Sequence, residues 1–193
     1  MSRSAALTAN VRIRNELKAG DIGFLTYLHG KLYAEEQGWD SRVEAYVAGA
    51  FSDFVRSRSP RDRIWIVEEH DETRGSVAII EAPDNKAQLR CFLLHPDLRG
   101  RGIGKTLVED AVDFCRASSY SAVYLWTVST LVAAARIYRP AGFQKTEEPT
   151  QELWEATVRA ALRVEVGSPR LISLRRNQER LRTDEDRSPA PKG

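Results

Sequence analysis

Apolar residues recur along the chain in two rhythms, and each rhythm predicts an element. Val11 to Arg14 alternates apolar and basic positions, the period of a short edge strand. Ile22, Leu25, Leu28, Leu32 and Tyr33 keep helical spacing, with Asp21 placed to cap that helix and Gly38 to stop it. Val43, Tyr46, Val47, Ala50, Phe51, Phe54 and Val55 describe a second helix, which Asp40 or Ser41 would cap. After the polar loop around Pro60 come three strand-like runs, Arg63 to Glu69, Gly75 to Ala82 and Gln88 to His95. The short turns between them predict an antiparallel meander. A glycine-rich turn from Arg99 to Gly104 opens a third helix through Leu107, Val108, Ala111, Val112 and Phe114. Ala122 to Thr127 reads as a buried strand, Leu131 to Tyr138 as a fourth helix, and Ala141-Gly142-Phe143 as the return to the sheet.

The order β-α-α-β-β-β-α-β-α-β predicts an α/β fold with a mixed sheet flanked by helices. Beyond Pro149, the positions Leu153, Trp154, Val158, Ala161 and Leu162 predict a helix over Gln151 to Val166. From Ser168 the arginine-rich, acidic and proline-bearing composition is that of a disordered tail. The expected organisation is a domain at 11–149 followed by an atypical helical or disordered extension at 150–193.

Composition narrows the function classes. The 193 residues, 42% of them hydrophobic, suffice for one core. Lysine plus arginine is 29 against 27 for aspartate plus glutamate, a formal net charge of +2, which does not suit a nucleic-acid coat. Two cysteines, Cys91 and Cys115, do not make a disulfide scaffold and read as buried thiols. No apolar run approaches the ~20 residues of a membrane helix, and Met1 to Asn10 lacks the hydrophobic stretch of a secretory signal. The expectation is a soluble, cytoplasmic protein with neither a nucleic-acid nor a membrane partner. His29, His70 and His95 show no metal-ligand spacing, so no metal is expected.

The turn Arg99-Gly100-Arg101-Gly102-Ile103-Gly104, set between a strand and a helix, carries the candidate chemistry. Glycines let successive N–H groups approach a ligand, and a helix N-terminus adds unpaired donors and a favourable dipole. Arg99, Arg101 and Lys105 add positive charge, so the turn reads as a phosphate site. Gly104-Lys105-Thr106 is not a nucleotide triphosphate loop, because that motif needs glycine at position 99, which is arginine. The dinucleotide fingerprint fails as well, since its third glycine would fall on Lys105 and the preceding strands do not open a βαβ unit.

The remaining pattern, arginine-any-any-glycine-any-glycine after a strand, resembles motif A of the GNAT N-acetyltransferase superfamily. Ala134-Ala135-Arg136-Ile137-Tyr138 followed by Ala141-Gly142-Phe143 resembles its motif B, and the segment His29 to Trp39 resembles the acetyltransferase domain of a bacterial subgroup fused to MarR-type regulators. The resemblance covers about Val11 to Glu148. It implies a sheet with splayed central parallel strands and an acetyl-CoA-dependent N-acyltransferase acting on a primary amine by direct attack. A noncatalytic acyl-CoA-binding module and an inactive remnant are the alternatives.

Residue by residue, the resemblance implies that Arg99, Gly100, Arg101, Gly102, Ile103, Gly104 and Lys105 hold the pyrophosphate of the co-substrate acetyl-CoA. Phe92, Leu93 and Leu94 would pair with its pantetheine arm, and Tyr138 would be the general acid for the departing thiolate. Tyr33, Glu36 and Trp39 would form an aromatic and acidic wall for the amine, whether that belongs to a small molecule or a protein. A homodimer is compatible with this reading. The proton acceptor is left open among Glu35, Glu36, Glu81 and His95. Val128 stands where the subgroup has asparagine, and Pro140 falls in the last turn of the motif B helix. The superfamily closes its sheet with two antiparallel strands; Phe143 to Glu148 fits the first, whereas nothing from Gln151 onward reads as the second.

Overall fold

The meander expected from the central runs is present in the computed structural model, which describes residues 10–57, 59–127, 131–146, 152–153, 156–157 and 160–166. Strand β1 (Val11–Arg14) precedes helices α1 (Asp21–Gln37) and α2 (Ser41–Arg56). Strands β2 (Arg63–Glu69), β3 (Glu72–Ala82) and β4 (Lys86–Leu94) follow, then α3 (Ile103–Ala117), β5 (Ala122–Thr127) and α4 (Val132–Tyr138). The last elements are β6 (Gln144–Thr146), a small hairpin of β7 (Glu152–Leu153) and β8 (Ala156–Thr157), and β9 (Ala160–Glu165). Seven strands form one sheet in the order β1-β2-β3-β4-β5-β9-β6. Every pair is antiparallel except β4 with β5.

Alternation along the strands feeds two apolar layers. Ile64 and Ile66 of β2 pack with Leu25, Val47, Phe51 and Phe54 of α1 and α2. Trp65 and Val67, one residue out of phase, pack with Leu107, Val108 and Ala111 of α3 on the opposite face. Both faces of the central sheet are therefore covered, which is why its strands read as nearly continuous apolar runs.

Helix boundaries follow local chemistry. Gly38 stops α1 in the left-handed conformation (φ 69°) and donates its N–H to the Ala34 carbonyl. Asp40 caps α2 by accepting from the Arg42 N–H at 2.9 Å. Asp21 does not cap α1: Gly20 occupies that position, and the Asp21 carboxylate accepts instead from the Lys18 N–H and from both terminal nitrogens of Arg14. Arg14 also donates to buried Glu68 at 2.7 Å, so this ionic cluster fastens α1 to β1 and β2.

The carboxyl-terminal expectation is corrected. Where helical spacing predicted a helix over Gln151 to Val166, Ala160–Glu165 is an inner strand, paired with β5 from Ala122↔Glu165 to Thr127↔Ala160 and with β6 on its other side. The same residues carry a second rhythm, Leu162, Val164 and Val166 alternating with Arg163 and Glu165, and the open flank of β5 selects it. The second closing strand is thus present. Pro140 lies in the turn after α4, where Phe143 N–H reaches back to the Tyr138 carbonyl and Gly142 N–H to that of Arg139. Gly142 is left-handed there (φ 93°), as that turn requires. Val128 and the tail from Ser168 lie outside the described residues.

Candidate active site

The parallel pairing of β4 with β5 lasts only from Lys86↔Ala122 to Gln88↔Tyr124. Beyond it the two strands share no ladder, and a cavity of about 670 Å³ opens between them, bounded by α1, α2, the start of α3 and α4. A bulge helps to shape this opening. Ala78↔Arg90 and Ser76↔Leu93 leave one extra residue in β4, and Cys91 takes φ 51° there. The buried Ser76 hydroxyl donates to the Cys91 carbonyl at 2.8 Å and fixes the bulge from behind. Burial pushes the Cys91 thiol up to about 12, so it stays protonated.

The glycine turn lies at one end of the cavity. Gly100 (φ 77°) and Gly102 (φ 80°) are left-handed, and a Cβ on either would meet no atom within 4 Å, so the backbone is open on that side. Gly104 serves a different purpose. A Cβ there would stand 3.1 Å from Ile137 Cδ1 and 3.4 Å from Phe92 Cζ, so glycine lets α3 approach α4 and β4. The leading amides of α3 lack intrahelical partners by construction. An extended thioester with a pyrophosphate end fits this outline, with donors at the turn and an unpaired edge of β4 beside the cavity.

Phe92, Leu93, Leu94, Arg99, Gly100, Gly102, Gly104, Lys105 and Tyr138 line the cavity, as do Tyr33, Glu36 and Trp39. Arg101 and Ile103 do not: Arg101 pairs with Glu69 at 2.9 Å, and Ile103 is buried in the α3 layer. Lys105 lies 3.8 Å from Glu109. Arg99 donates its Nε to the Leu94 carbonyl at 2.9 Å and its terminal nitrogens to the two Glu36 oxygens at 3.0 and 2.9 Å. That fork ties the end of α1 to the end of β4. It also engages Glu36, the sole carboxylate of the lining among the described residues, so the acidic wall expected for the amine is neutralised at its one acidic position. Of the other candidate bases, Glu35, Glu81 and His95 do not line the cavity.

Tyr138 is 5% exposed, its ring 5.9 Å from Phe92 and 5.7 Å from Phe143. Burial, with a smaller contribution from Tyr33, raises its phenol well above the ordinary value, so the O–H persists as a donor. Burial likewise pushes Tyr33 up to about 12, and its ring packs at a tilt against Trp39, with centroids 5.0 Å apart. Sequence reasoning gave no individual role to His29, Tyr46, Arg90, Trp126 or Arg136, all of which line the cavity. A signal existed for His29, which falls four residues after Leu25 and four before Tyr33, on the apolar stripe of α1. Among the described residues no group of three or more His, Cys, Asp or Glu side chains could hold a metal ion. No described helix is long and apolar enough to cross a membrane.

A family model described as acetyltransferase (GNAT) family matches residues 29–143, the segment that contains all of this cavity wall among the described residues. Human N-acetyltransferase 8B is 27% identical over 141 residues, which are 69% of this chain and 62% of that protein. The chain spans about six tenths of the length of the curated relatives it matches. Among solved structures, a GNAT-family acetyltransferase from Staphylococcus aureus Mu50 superposes with a TM-score of 0.67 at 15% identity, covering 81% of this chain and 99% of that one. Spermidine N-acetyltransferase from Vibrio cholerae, in complex with CoA and spermine, superposes with a TM-score of 0.57 at 19% identity, covering 81% and 94%. These structural likenesses concern the fold.

Proposed function

The chain belongs to the acetyltransferase (GNAT) family, and we propose that it is an N-acetyltransferase that moves an acetyl group from acetyl-CoA to a primary amine by direct attack. The observation that carries this reading is the cavity itself. It joins a left-handed glycine turn at a helix N-terminus to the point where β4 and β5 part, with a buried phenol on α4. The solved neighbour that holds CoA shares the fold, which supports the choice of co-substrate. The His29 to Trp39 segment forms the α1 side of the cavity, consistent with an acceptor wall like that of the regulator-fused bacterial subgroup.

Acetyl-CoA supplies an activated thioester. In the proposed mechanism the amides around Gly100, Gly102 and Gly104 hold the pyrophosphate, and Lys105 adds charge beside it. The free edge of β4 at Phe92 to Leu94 pairs with the pantetheine amides and polarises the thioester carbonyl. Tyr138 donates to the departing sulfur, and its high proton affinity keeps it charged with that proton at working pH. The C–N bond forms as the C–S bond breaks; the amine's displaced proton leaves to solvent and Tyr138 regains one from solvent, so the net products are the amide and the coenzyme A thiol. Arg99 and Glu36 act as a strut that holds α1 against this machinery.

Tyr138→Phe tests the assignment. It is expected to lower kcat by about 10²-fold while leaving acetyl-CoA affinity within twofold, because the lost donor acts only on the leaving group. Unchanged turnover would remove Tyr138 from the role of acid.

A further inference from the structure

Charge is distributed unevenly around the cavity. Arg90, Arg99, Lys105 and Arg136 belong to its wall, against the single carboxylate of Glu36 among the described residues, which is committed to Arg99. Arg90 of β4 is half-buried and makes no hydrogen bond or ion pair among the described residues, and none of its guanidinium nitrogens is sealed from solvent. Its Cζ lies 5.2 Å from the centroid of the Tyr46 ring of α2. A guanidinium held against an aromatic face but lacking an anion is a preorganised receptor for one. Strand register places it. Gln88↔Tyr124 is the last rung shared by β4 and β5, and Arg90 and Trp126 each come two residues later, on the same face at either side of the fork. Ala78, the β3 partner of Arg90, packs in the layer beneath α1 and α2, whereas Phe92 and Tyr138 pack with the α3 layer. Arg90 therefore borders the opening on the side opposite the buried phenol. It precedes Leu94, the end of β4, by a span of roughly 13 Å in an extended chain, so it does not share the phosphate ascribed to the glycine turn.

We infer that Arg90 is a specificity-determining residue that binds a carboxylate carried by the acceptor itself, so that the acceptor is an aromatic amine of amino-acid type rather than a polycation. The inference rests on the acetyltransferase reading and adds no bond-making step to it. A planar guanidinium takes a carboxylate through two parallel N–H donors, which fixes direction as well as position. Tyr46 against the guanidinium and Trp126 across the fork, both in the wall, offer the body of such a molecule an aromatic surface. Pairing with Arg90 also removes from the acceptor's ammonium the neighbouring negative charge that favours its protonated form, so the neutral nucleophile is reached more easily. A polyamine, by contrast, would bring further cations against an arginine that has no counter-ion.

The test uses the full chain with saturating acetyl-CoA and a matched pair of amines, L-phenylalanine and phenethylamine, which differ by the carboxylate alone. Coenzyme A release is expected to favour phenylalanine by at least about tenfold in kcat/KM, and Arg90→Gln to reduce the phenylalanine-to-phenethylamine ratio about 50-fold. Arg90→Lys, which keeps the charge but not the fork, should restore part of that ratio. Because the readout is a ratio within one variant, any loss of folded protein cancels from it. A wild-type chain without a preference for phenylalanine, or a ratio that Arg90→Gln leaves in place, would overturn the inference. Calorimetry with acetyl-CoA separates this outcome from the reading beneath it. A chain that binds acetyl-CoA yet turns over no phenylalanine contradicts the role of Arg90 alone, whereas a chain that binds none removes the acetyltransferase reading as well.

Discussion

At the residue scale, His29 links the site to stability. Its imidazole titrates near 6.5 when exposed and near 4 when buried. Between those values the unfolded chain binds the extra proton, so stability is complete above about pH 6.5 and falls as pH drops toward 4. Between pH 7.5 and pH 5 this one group accounts for a loss of roughly 2 kcal/mol. Urea unfolding at the two pH values should show that loss in wild type and a smaller one in His29→Asn. Equal pH dependence in both would mean that another group carries it. Asp21 and Glu68 are distinct contributors. Burial pushes each carboxyl up, but hydrogen bonds from Arg14, with Lys18 assisting, hold both below the ordinary carboxylate range. Their stabilisation persists until the medium is acidic enough to titrate those lowered values, so it fades at lower pH than the His29 contribution.

Elements were legible where one rhythm stood alone. β2 to β4 carry apolar runs broken by short polar turns, and no helical reading competes with them. α2 and α3 show a single apolar stripe each, and both formed as expected. β9 was hidden because its residues satisfy two periods at once, and the deciding partner, β5, lies more than thirty residues earlier. The glycine turn before α3 was legible in the sequence, whereas the strut between Arg99 and Glu36 joins residues 63 apart and has no local signature. The bulge at Cys91 was equally silent, since it depends on the Ser76 hydroxyl of a neighbouring strand. β9 also makes a prediction. Val164 is buried and its Cγ2 would stand 3.2 Å from a Cβ on Gly142, so the strand packs closely against the turn after α4. A chain ending at Pro149 should lose cooperative thermal unfolding, and Val164→Ala should cost about 2 kcal/mol by urea titration. A truncated chain melting at the wild-type temperature would show that β9 is dispensable to the sheet.

At the scale of the whole molecule, the near balance of charge leaves recognition to local contacts such as those of the cavity rather than to a long-range field. Arg99 of the cavity wall is engaged by Glu36, and Arg101, beside the glycine turn, by Glu69, so on the proposed reading the backbone amides of that turn are the principal anion donors. The fold positions those amides, the splayed strands and Tyr138 around a single space, and the account stands on acetyl-CoA occupying it. Isothermal calorimetry of acetyl-CoA binding to the full chain, beside Gly102→Val, tests this most directly. We predict a dissociation constant on the order of micromolar, about −8 kcal/mol, for wild type. Gly102→Val should bind at least about tenfold more weakly, because a β-branched residue resists the left-handed backbone at φ 80°. Absence of binding by a wild-type chain that unfolds cooperatively would contradict the account at its centre.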